Sequence, residues 1–196
     1  METTKTASMT IIAGVMEAEM SRPMGINNEK MVSKLTRQGL LNHESRGVIT
    51  PNWPAITVLS FMARNTYDWI DGAPPRKIQE LHLPCRCYEL GWQAISDEYA
   101  MTLLTPEQLE DDAEGHLRSR EDTVRNNIKI YWRFLRERGL IKTIRESTLG
   151  RNSAILLLLG DAEENKAVED WAMECFEYHG VRLPPPRANR RTGNHK

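Results

Sequence analysis

The chain has 196 residues, 40% hydrophobic and 27% charged, with 10 Pro and 12 Gly, a composition that fits a globular protein of one or two domains and excludes collagen, coiled coil and wholesale disorder. Lys and Arg number 26 against 27 Asp and Glu, a net charge of -1, so any polyanion site must arise from local charge segregation. Three cysteines, Cys85, Cys87 and Cys175, suit neither a disulfide framework nor a four-ligand zinc site and point to a reducing cytoplasm.

The first twenty residues lack the long apolar core of a secretory signal, because Glu17 and Glu19 interrupt it. The longest apolar run, residues 154–159, is too short for a bilayer. The expectation is a cytoplasmic protein with no membrane association. Residues 1–50 read as an N-terminal helical extension. An apolar stripe at Ile11, Ile12, Val15 and Met16 comes first, then Asn28 as cap of a helix that buries Met31, Val32 and Leu35 and stops at Gly39. Leu40 and Leu41, then HESRG, then Val48 and Ile49 predict a short hairpin or turn before Pro51.

Residues 52–160 carry most of the information. Trp53 and Pro54 open a helix with Ile56, Leu59, Phe61 and Met62 on one side, ending near Tyr67 and Asp68. A second helical stretch spans residues 88–99, with Leu90, Trp92, Ile95 and Tyr99. Thr105 and Pro106 then begin an acidic helix. From Ser119 to Arg138, Val124, Ile128, Tyr131, Trp132 and Leu135 trace one helical face, and the other face is basic. Residues 117–151 contain ten Lys or Arg against four acids, a local balance of +6, whereas residues 97–114 contain seven acids and no base. Near-neutrality therefore hides a basic element. Gly139 ends the helix, and Ile141 and Ile144 begin a strand whose partner is residues 154–159, with Gly150, Arg151 and Asn152 at the tip of the connecting loop.

A helix followed by Gly-Leu-Ile and a hairpin with a basic tip is the layout of a winged helix-turn-helix. Such a helix offers Asn, Arg and Thr to base edges in the major groove while the wing sets a cation near a phosphate or the minor groove. The segments WPAITVLSFMARNTYD, DGAPPR, CYELGWQAISDEYAM, TVRNNIKIYWRFLRERGLI and GRNSAILLL resemble those of the winged helix-turn-helix proteins of actinobacterial plasmids and phages, often described as replication-initiator-like. The resemblance covers residues 53–159. It implies a mainly α fold with a small β-hairpin, the helix of Gly91, Trp92 and Ile95 first, residues 123–138 as recognition helix and 101–118 as a variable insertion. A rival alignment uses residues 105–114 as the supporting helix and GHLRS as the turn.

The candidate DNA contacts are Arg118, Ser119, Arg120, Thr123, Arg125, Asn126, Lys129, Arg133 and Arg136 on the helix, with Arg151 and Asn152 on the wing. Arg120, Thr123, Arg125, Asn126 and Lys129 are placed in the first turns of the helix and off its apolar stripe. Arg suits guanine and Asn adenine, while Lys129 and Arg133 suit phosphate. The competing reading is that these form the solvated face of an amphipathic helix. Glu121 and Asp122 fit the positive end of the helix dipole.

Residues 161–180 form a C-terminal amphipathic helix with Val168, Trp171, Ala172, Cys175 and Phe176 on its apolar side and an acidic opposite face. Packing onto the winged domain is the first expectation and a homodimer seam through residues 161–177 the second. Residues 181–196 read as a basic, disordered tail that could add sequence-independent phosphate affinity. No Gly-rich phosphate loop or catalytic constellation occurs, and His82, Cys85 and Cys87 lack the second ligand pair of a structural zinc. The expectation is a non-enzymatic protein without cofactor or metal that binds double-stranded DNA for replication or transcription control of a phage or plasmid. The alternative is a docking protein that binds and modulates a host protein through the same scaffold.

Overall fold

The computed structural model describes residues 24–181; the stripe at Ile11 to Met16 and the basic tail from Arg182 onward lie outside them. The elements run α1 (Ile26–Arg37), β1 (Asn42–Ser45), β2 (Val48–Pro51), α2 (Trp53–Arg64), α3 (Arg76–Glu80), β3 (Cys87–Tyr88), α4 (Gly91–Glu98), α5 (Pro106–Glu110), α6 (Ala113–Glu137), β4 (Ile141–Arg145), β5 (Ala154–Leu157) and α7 (Ala162–Tyr178). The described residues therefore form a mixed, predominantly helical fold with two small antiparallel sheets, a β1-β2 hairpin and a three-stranded sheet ordered β3-β5-β4.

The central strand β5 divides two cores. Its side chains alternate, as the strand period of two requires. Ile155 and Leu157 enter a cluster with Tyr88, Ile141 and the apolar faces of α1, α2, α4 and α6. Ala154 and Leu156 enter a second cluster with Cys87, Ile144, Trp69 and the α7 residues Val168, Trp171, Ala172, Cys175 and Phe176. A strand covered on both faces needs an unbroken apolar run, which is why all of β5 is buried. A bulge between Thr143 and Arg145 turns both Ile144 and Arg145 toward α7, and the Arg145 guanidinium lies 5.1 Å from the centre of the Phe176 ring.

Several sequence expectations are corrected. Asn28 does not cap α1; it is a buried residue within it, and Gly25 occupies the cap. The Asn28 and Asn27 amides instead donate to the Asp68 carboxylate at 2.9 and 3.3 Å. The second helix of residues 88–99 is shorter than expected, because Tyr88 belongs to β3 and the helix starts at Gly91. The first helix ends at Arg64 rather than near Asp68.

The long basic helix starts at Ala113, not near Ser119. The Asp112 side chain caps it by accepting the Gly115 amide at 3.0 Å, and a Cβ at Gly115 would meet that carboxylate at 2.1 Å. The glycine that suggests a turn is thus required by the cap. Since GHLRS is helical, the rival alignment has no turn there, and Glu121 and Asp122 lie mid-helix rather than at a positive helix end.

Candidate nucleic-acid interface

Helix α6 has 25 residues and buries Val124, Ile128, Trp132 and Leu135 along one line. With about 100° per residue, the expected contacts divide around that line. Arg118, Arg125, Lys129, Arg133 and Arg136 fall on one flank, Arg120 and Thr123 on the other, and Ser119 and Asn126 near the outer edge. They do not form one continuous surface. They also lie in the middle of α6 rather than its first turns, because the helix begins earlier than its apolar pattern suggests.

The second flank forms a cleft of about 390 Å³ against the α4-α5 connection, with Met101, Val124, Ile128 and Tyr131 as floor and Ser119, Arg120, Thr123 and Asn127 at the edge. Arg120 donates to the Gln108 side chain at 3.2 Å, and the Thr123 hydroxyl donates to the Ser119 carbonyl at 2.9 Å. These side chains bond within the chain and face away from the basic flank.

On the basic flank, Arg118 pairs with Glu114 at 3.0 Å. Arg125 pairs with Asp122 at 3.4 Å, and its guanidinium lies 4.9 Å from the Trp92 ring centre. Arg136 lies 3.5 Å from the Thr143 hydroxyl of β4. Lys129, Arg133 and Asn126 are exposed, and neither cation has an ion-pair partner among the described residues. Three other cations counted in the basic segment are held elsewhere: Lys142 by Glu169 at 2.6 Å, Arg145 by Glu89 and Arg138 by the Asn42 carbonyl at 2.8 Å. The accessible positive charge is smaller than composition implies.

The β4-β5 loop meets this flank through the start of α4. Arg145 donates to the Asn152 carbonyl at 3.1 Å, and the Asn152 side chain lies so close to Gly91 that a Cβ there would meet it at 2.8 Å. Gly91, at φ 82, is the residue whose neighbour Trp92 carries Arg125. Loop and basic flank thus share one helix end. Arg151 and Asn152 are both exposed.

Trp92 packs against the first core, as its helical spacing predicts, but sequence reading missed its second role of carrying Arg125 and the burial of Arg145. An Arg directly after the apolar Ile144, at the end of a strand whose alternation it breaks, was the available signal for the latter. It also placed no weight on Arg86, which is buried with its guanidinium 2.7 Å from the Glu164 carboxylate.

The three thiols lie together in the α7 core as free cysteines. Burial pushes the Cys85 thiol up to about 12, with Cys175 adding to it. It pushes Cys175 up to about 12, helped by Glu174, and raises Cys87 further in the same direction. The His82 ring stacks on Tyr178 with centroids 3.8 Å apart. The α7 stripe is covered by its own sheet, so it is not available as the dimer seam considered from sequence. No helix among the described residues is long and apolar enough to cross a membrane. Comparison with protein-family models, curated proteins and solved structures yields no match.

Proposed function

We propose that the chain is a non-enzymatic protein that binds double-stranded DNA through a winged helix-turn-helix. In this reading α2, β3, α4, α6, β4 and β5 are the scaffold, α6 is the recognition helix and the β4-β5 loop is the wing. The observation that carries it is the junction at α4: Trp92 holds Arg125 of α6 while Gly91 receives Asn152 of the wing. A helix flank and a loop fixed to one point can engage a groove and the adjacent backbone together. Lys129 and Arg133 are the phosphate contacts, Asn126 and Arg125 the base readers and Arg151 the wing cation. Arg120 and Thr123 are the weakest candidates, because the cleft flank turns them away, while Ser119 lies with Asn126 near the outer edge of α6.

The sequence resemblance supports a role in replication or transcription of a phage or plasmid, in the cytoplasm. A protein-docking role has one observation in its favour, the exposed apolar Val48, Ile49 and Trp53 around the β1-β2 hairpin. The test is selection of fragments from a random duplex pool by the full chain, followed by titration at several salt concentrations. Engagement of about six phosphates gives a log-log slope near -5. Retention of no fragment, together with salt-independent behaviour, sinks the proposal in favour of docking.

A further inference from the structure

Beyond the recognition helix, the wing tip holds a residue that charge-based reasoning passes over. Thr148 and Arg151 exchange both backbone hydrogen bonds, at 2.9 and 3.0 Å, which leaves Leu149 and Gly150 as the two central residues of a tight turn. Gly150 takes the left-handed position at φ 77. Leu149 is 105% exposed: no part of the protein covers it. The base of the hairpin is held by the buried Arg145 against Glu89 and by Asn152 against Gly91. The turn is therefore aimed by the fold, with Arg151 exposed and without an ion-pair partner among the described residues beside it.

We infer that Leu149 is an apolar wedge that the wing drives into the minor groove at a flexible base step, with Arg151 binding the flanking phosphate or groove floor. The inference rests on the DNA-binding reading above and adds to it the mode of contact and a distortion of the duplex. The two strands of a hairpin are about 5 Å apart before their side chains are added, while an undistorted minor groove is about 6 Å wide. Only the tip side chain enters. An isobutyl group there meets base edges and ring faces, and entering between two stacked pairs removes its surface from water while opening the step. Pyrimidine–purine steps such as TA open most easily, so the wing favours them without reading a hydrogen-bond pattern.

The experiment uses the full chain and an alternating AT duplex of about 21 base pairs, two turns, with dyes at both ends and 2-aminopurine at a central TA step. Anisotropy reports binding, end-to-end energy transfer reports bending and 2-aminopurine emission reports unstacking. The wild-type complex is expected to bend the duplex by about 20–90° and to raise the emission. Leu149→Ser, an exposed position whose change leaves the melting temperature unaltered, still binds, with affinity lower by about tenfold or less because lost burial is offset by the step left stacked. It shows neither bend nor emission, and Leu149→Met restores both. Binding by the wild type without unstacking, or unstacking that survives in Leu149→Ser, overturns the wedge while leaving the DNA reading intact. Flat anisotropy at low salt overturns both.

Discussion

Arg86 is where the two ends of the described chain converge. Its Nε donates to the Asn28 side chain of α1 at 3.0 Å and its Nη2 to Glu164 of α7 at 2.7 Å. Its backbone sits at φ 49 and its carbonyl accepts the Leu157 amide at 2.8 Å. Arg86 is the buried partner of the pair and Glu164 the partly exposed one, so Glu164→Met, which leaves the buried guanidinium without its counter-ion, is expected to lose about 3–5 kcal/mol of stability. The double variant Arg86→Met with Glu164→Met should recover most of it in a denaturant melt; equal loss in both would show that the ion pair is not the cause. The thiols add a pH dependence. A thiol whose folded pKa lies above its ordinary value near 9 stays protonated in the native state while the unfolded chain ionises, so native stability is full below pH 9 and falls as pH rises toward about 12. Urea melts at pH 7.5 and about 10.5 should show this loss, and replacing Cys85 and Cys175 with Ala should reduce the difference.

At the scale of the element, α6 carries a patterned core line that is fully legible and a charged surface that is not. Its apolar spacing identifies Val124, Ile128, Trp132 and Leu135 as the buried residues, because a helix repeats every 3.6 residues whatever it packs against. Its first turns contain no such pattern, only Asp112, Glu114, Gly115 and His116, so the start at Ala113 depends on a cap. Which cations are accessible depends on carboxylates one turn away and on neighbouring elements. Replacing Lys129 and Arg133 together with Ala is expected to reduce the magnitude of the salt slope by about 1.8, or 0.9 for each phosphate released. Arg118→Ala should move it less, since Glu114 already neutralises that side chain in part. Asp122→Asn frees Arg125 and removes a charge facing the duplex, so it should tighten binding, with the gain screened at high salt. A slope unchanged by the first pair would place the contact off this flank.

The whole molecule is layered, with helices α1, α2, α4 and α6 on one side of the β3-β5-β4 sheet and α7 on the other. The C-terminal helix is structural in this arrangement. Trp171 fills the second core and donates its indole N–H to the Leu83 carbonyl at 3.0 Å. Trp171→Ala is therefore expected to cost about 3–5 kcal/mol, seen as a lowered melting temperature. Removal of residues 161–196 would uncover Ala154, Leu156 and Ile144 and should give aggregated material on size exclusion. A truncated chain that stays dispersed and melts like the parent would refute the structural role.

Local chemistry determined much of this protein directly. The cap at Thr105, the helical stripes, the β4-β5 pairing and the α7 stripe follow from side chains acting on near neighbours, and each was legible from residue types alone. Tertiary structure decided the rest. The two-residue strand β3 has too few residues for a period, and Arg86 and Arg145 are buried because distant carboxylates reach them. The division of the α6 cations between a cleft and an open flank depends on which elements happen to pack beside them, since long-range proximity is not encoded in spacing along the chain.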